Sequence, residues 1–164
     1  MINLQEMIHQ LAANAEAIRA LAQTFSDEQA QWKPDADNWS MHEVMAHLYN
    51  EERMDFRVHL MWFFGESSQR PGYVSVESSR QALEGFLAER QASIAWLSVL
   101  EAPDWNVTTL LHFGPNETVT VCAEDMLDSW VEHDILHMRQ LVELMHGCNV
   151  QQASPYAVKY AGGW

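Results

Sequence analysis

The chain is short of several things. It has 2 cysteines in 164 residues, Cys122 and Cys148. That is one pair at most, too few for a disulfide scaffold, and it fits two separate thiols in a reducing compartment. Lys and Arg together number 9 against 23 Asp and Glu, a formal charge of −14. Such a field repels phosphate backbones and anionic membrane surfaces, which argues against a nucleic-acid partner and against a membrane one. No apolar run approaches the roughly 20 residues of a membrane span; Leu60 to Phe64 is among the longest. The amino terminus, MINLQEMIHQLAANAEAIRAL, is amphipathic and lacks the basic and apolar regions of a signal peptide. These absences predict a cytoplasmic protein. Glycines number 7 and prolines 5, and neither marks a linker, so residues 1–164 read as a single domain.

What is present is apolar content of 48%, enough for a real core, and 8 histidines, nearly as many as the Lys and Arg combined. The dominant periodicity is helical. Leu4, Ile8, Leu11, Ala15, Ile18, Ala22 and Phe25 form one stripe, ended by Ser26, Asp27 and Pro34. Ser40 and Glu43 make a capping box, with Trp39 and Val44 as a hydrophobic staple, and open a second helix predicted to run to Gly65. Its stripe of Val44, Leu48, Val58 and Trp62 also carries Glu51 and Asp55. A third helix is predicted from about Ser78 to Leu100. The β-prone runs 107–111 and 118–121 flank Gly114, Pro115 and Asn116 and suggest a short hairpin. A fourth helix is predicted over Ala123–His146, with Gly147 at its C′ position. The aromatic tail after it is expected to pack on the bundle or on a partner chain. Four long helices of similar length predict an all-α four-helix bundle, with a possible β-hairpin between the third and fourth.

His133 and His137 lie four residues apart, one turn above the other on the inner stripe of Met126, Trp130, Leu141 and Leu144. Two imidazoles facing a core need partners. They are either core histidines bonded to neighbours or ligands of one divalent cation. His47 on the second helix can complete a three-histidine site with an open position, the arrangement of catalytic rather than structural zinc. Three imidazoles suit Zn, Ni, Cu or Fe. Glu51, one turn from His47, is the candidate catalytic base; Asp55 and Asp134 are further outer carboxylates. Glu51 read blandly is a solvated or salt-bridged helix residue. His42 and His47 are five apart, the wrong spacing for a metalloprotease helix. None of Glu43, Glu51, Glu52 and Glu132 has a His three residues later, the spacing a di-iron bundle requires. His9, His59, His112 and His146 suggest no site role. Cys122 sits near a predicted helix start, where a dipole favours thiolate, but has no histidine beside it in sequence.

The runs PDADNWSMHEVMAHLYNEE and HDILHMRQL resemble the DinB/YfiT-like superfamily: a Trp-Ser helix start, a His-Leu pair, and later His-x-x-x-His followed by Gln-Leu. The resemblance places the family's metal triad on His47, His133 and His137. It implies up-down-down-up connectivity, a divalent ion, commonly zinc or nickel, near one end of the bundle, and homodimers. It also implies thiol S-transferase or thiol-dependent isomerase activity, with a low-molecular-weight thiol and an electrophile as small-molecule partners. A non-catalytic metal-binding stress-response or interaction protein is the alternative.

Overall fold

The computed structural model describes residues 3–66, 69–112 and 117–162. The chain is mostly helical. Helix α1 spans Leu4–Ala22, α2 Asp27–Gln31, α3 Met41–Met54, α4 Phe56–Phe63 and α5 Ser79–Ser98. A two-stranded antiparallel sheet of β1 (Thr108–His112) and β2 (Thr118–Cys122) precedes α6 (Ala123–Ala153). In the hairpin Leu110 pairs with Thr120 and Leu111 with Val119. Its expected turn at Gly114, Pro115 and Asn116 lies outside the described residues. Helix α1 packs on α5 and α6, α3 on α5, and α4 on α6. No helix among the described residues is long and apolar enough to cross a membrane.

The predicted cap of the second helix forms as a reciprocal pair. Ser40 Oγ accepts from Glu43 N at 3.2 Å, and Glu43 Oε2 accepts from Ser40 N at 2.7 Å. Four expectations change. The first helix ends at Ala22, short of Phe25 and Ser26, and Ser26 instead caps α2 through a second capping box with Gln29. The second helix is two segments, broken at Asp55, whose backbone (φ −117°, ψ −97°) leaves the helical region. The break shifts the phase of α4: Val58 and Leu60 are buried, whereas Trp62 is exposed. The last helix runs on to Ala153, because Gly147 is no terminator. A Cβ there would stand 2.7 Å from Trp32 Cη2, so glycine is needed for close approach and not for a left-handed cap. Tyr156 and Tyr160 of the tail are exposed, so these two rings do not take the first of the expected places, on the bundle, and Trp164 lies outside the described residues.

Two apolar clusters make the core. One joins Ile18, Val44, Met45, Leu48, Phe86 and Leu141; the other gathers Leu11, Leu60, Leu97, Leu127 and Trp130. Between them lies an ionic knot. The Arg90 guanidinium is 5.0 Å from the Phe86 ring centroid and 5.7 Å from that of Trp130. It donates to both carboxylate oxygens of Glu52 at 2.9 Å, to Asp134 at 2.7 and 2.8 Å, and to the Leu11 carbonyl at 3.0 Å. All its donors are therefore used. Trp130 Nε1 donates to Glu52 at 3.0 Å, and Asn14 Nδ2 to Asp134 at 3.3 Å. Burial alone would weaken the guanidinium's hold on its proton, but Glu52 and Asp134 outweigh that and push its pKa up. The knot ties α1, α3, α5 and α6 together immediately behind the histidines: Glu52 follows Glu51, and Asp134 follows His133.

Candidate metal centre

The registers of α3 and α6 bring three imidazoles to one point. His47 Nε2 lies 3.1 Å from His133 Nε2, which lies 3.2 Å from His137 Nε2. One nitrogen from each ring falls within 4.8 Å of the other two. Bonds of about 2.0–2.1 Å from a tetrahedral zinc would space such nitrogens roughly 3.3–3.4 Å apart, so the donor set fits a divalent ion. Electrostatics prepares it further. Burial, aided by the neighbouring His137, pushes His47 down to about 4. Burial, with His137 and His47 beside it, pushes His133 down to about 3. His137 is also lowered by burial, against the opposing hydrogen bond to Gln140. All three rings are then neutral near pH 7 and offer lone pairs.

The outer contacts set ring orientation. His137 Nδ1 donates to Gln140 Oε1 at 2.8 Å, which turns the Nε2 lone pair inward. Glu51 Oε1 approaches His47 Nδ1 to 3.8 Å. Burial and a hydrogen bond with Asp55 raise the Glu51 carboxyl to about 7. Burial would lift Asp55 too, but the His59 imidazole and Glu51 prevail and leave it below its ordinary value. His59 Nδ1 stands 2.6 Å from Asp55 Oδ1, close but poorly aligned for a hydrogen bond. His47, Glu51, Asp55 and His59 thus form a file at four-residue intervals that continues across the helix break. The indole of Trp39 lies parallel to the His137 ring with centroids 6.4 Å apart, and at 5.0 Å from His47. Phe56 closes the side of His133 at 5.1 Å.

The expected triad is brought together, and Glu51 stands beside it. Asp134 is not an outer carboxylate of the site: the Arg90 knot holds it at the back of α6. Cys122 caps α6 by accepting from Asp125 N at 3.4 Å. His42 stands 3.4 Å from Ser79 Oγ, away from the triad. Three contributors escaped the sequence reading. Gln140 had a signal, lying three residues after His137 on the same helix face. Trp39 was legible only as a staple. Asn50 pins the segment beside the site by bonding Val74 on both its N–H, at 2.8 Å, and its carbonyl, at 3.0 Å. His59 gains its neighbour only because α4 follows the break.

A family model described as the DinB superfamily matches residues 10–141, well over half of the chain. Among solved structures, the chain is similar to a conserved protein from Enterococcus faecalis. The two share 15% identity and a TM-score of 0.59, over 90% of this chain and 98% of that one. At that identity the likeness speaks for the fold alone. No curated protein matches the chain.

Proposed function

The chain belongs to the DinB superfamily, and from that premise we propose that it is a metal-dependent enzyme that holds one divalent ion on His47, His133 and His137. The observation that carries the reading is the convergence of three neutral Nε2 atoms with spacings of 3.1 and 3.2 Å. Zinc or nickel suits three imidazoles. Such an ion would supply Lewis acidity toward a thiol or water. Glu51, beside His47 and with its carboxyl raised to about 7, would accept a substrate proton at Oε1. Gln140 holds the His137 tautomer, and Trp39 and Phe56 restrict water around the rings. The activity proposed is thiol S-transfer or a thiol-dependent isomerisation, in a cytoplasmic homodimer. The four long helical stretches are taken to form an up-down-down-up bundle of one domain, which the α1–α5, α1–α6 and α3–α5 packing supports.

Native mass spectrometry and elemental analysis of tag-free protein test the centre. One equivalent of metal is expected, lost in His133→Ala. Zinc at about one hundred times its dissociation constant adds about 2.7 kcal/mol, or roughly 5–11 °C in Tm for a chain of this size. Metal below about a tenth of an equivalent, with no Tm response to zinc or nickel, overturns the reading. Full loading with no turnover against a panel of thiols and electrophiles leaves the alternative, a non-catalytic metal-binding protein.

A further inference from the structure

A cavity of about 690 Å³ opens between α4, the hairpin and α6, on the flank of His133. Its volume lies in the range of small-molecule sites. Phe56 from α4, Leu110, Leu111 and Val121 from the hairpin, and Met126 and Leu136 from α6 give it apolar walls. Two of these are left in water: Leu110 is 60% exposed and Leu136 53%. The hairpin is fixed in place, because the backbone N–H of Ala123 donates to the Val107 carbonyl at 3.0 Å and that of Glu124 to the Trp105 carbonyl at 3.0 Å. The wall is thus a standing feature of the fold.

The polar end is narrow. Asp55, His59 and His133 border it, and His59 turns Nδ1 toward Asp55, which leaves Nε2 as the ring nitrogen able to meet a ligand. Asp55 and Glu132 put negative charge on the rim. Arg70 is the cation of the lining, and its field acts on the Glu51 and Asp55 carboxylates. An anion would meet two carboxylates in a chain of charge −14. A cation would have to give up its hydration against apolar walls. An uncharged molecule with one hydrogen-bonding group meets neither penalty.

We propose that this hairpin-walled cavity is the substrate site, and that it takes an uncharged, predominantly apolar small molecule whose polar group reaches His59 and the flank of His133. The substrate class rests on the metal-dependent reading for its chemistry, but binding in the cavity does not require the ion.

The test uses 2-naphthol, an uncharged aromatic with one hydroxyl, and its anionic relative 2-naphthoate, titrated into the full chain with and without zinc. Saturable binding of 2-naphthol is expected, at least about tenfold tighter than that of 2-naphthoate. Leu110→Asp and Leu136→Asp alter exposed positions that the fold does not need, and each should weaken 2-naphthol about tenfold or more. His59→Ala should weaken it roughly fivefold, the loss of one hydrogen bond. Zinc stoichiometry is measured on the same samples. Binding of 2-naphthol to protein that takes up no zinc supports the cavity while the metal reading falls. Zinc uptake without 2-naphthol binding, or equal binding of the two probes, overturns the cavity proposal and leaves the metal reading standing. If 2-naphthol fails to bind and Leu110→Asp turns a dimer into a monomer in sedimentation, the face belongs to a second copy of the chain and the proposal is overturned.

Discussion

Replacing Arg90 by methionine would leave Glu52 and Asp134 in the core without their cation. Glu52 is 2% exposed and Asp134 0%, so water cannot take the guanidinium's place. Breaking a buried ion pair by removing one partner costs about 3–5 kcal/mol, a large share of the 5–15 kcal/mol typical of a whole domain. With a urea slope of about 2 kcal/mol per molar, the unfolding midpoint should fall by roughly 1.5–2.5 M at pH 7.5. The loss should also depend on pH. Two facing carboxylates without a cation keep a proton that the unfolded chain releases near pH 4. The folded variant therefore binds more protons above that pH, so its deficit grows as pH rises and shrinks as pH falls toward 4.5. Urea titrations followed by tryptophan fluorescence at pH 7.5 and 4.5, against wild type at each pH, measure both effects. A loss under about 1 kcal/mol at pH 7.5, or an equal loss at both pH values, would refute the reasoning. Adding Glu52→Leu and Asp134→Leu should recover most of the stability, short of the bonds that Trp130 and Asn14 then lack.

The metal-free protein should lose stability as pH falls below about 6.5. The unfolded imidazoles protonate there, whereas folded His47 and His133 wait until about 4 and 3. Glu51, raised to about 7, works in the opposite sense between its ordinary value and neutrality, but it is one carboxyl against three imidazoles. The slope of urea midpoint against pH should flatten in His133→Leu; identical slopes would contradict the assignment. Gly147→Ala should cost about 1–3 kcal/mol by overpacking, because the new methyl lands 2.7 Å from Trp32. Part of that loss should return when Trp32→Leu is added, as seen by thermal melting of the double variant.

The helices and the triad were legible because both depend on local spacing. Ser40 and Glu43 announced their helix, and a four-residue interval placed His133 and His137 on one face. The hairpin was legible from its β-prone runs. What depended on contacts between distant segments was not. Gly147 looks like a helix stop until Trp32, over 100 positions earlier, is seen beneath it. Asp134 looks like a companion of His133, yet adjacent residues on a helix point about 100° apart. Its carboxylate belongs to Arg90 of α5, a partner no local pattern names. The break at Asp55 had no signal, since neither glycine nor proline marks it, and so His59 and Trp62 were placed wrongly.

His47 and His133 meet although 86 positions apart in the sequence. Both cysteines are free, so no disulfide closes that span. An ion that joins the two rings would act as a removable staple on it. A permanent bond closing a loop of that length is worth roughly 4–5 kcal/mol of chain entropy. A coordinate bond can supply a similar constraint only while the ion is held. The resistance of this fold to unfolding would then follow the free metal concentration around it, much as a laced seam holds only while the lace is in.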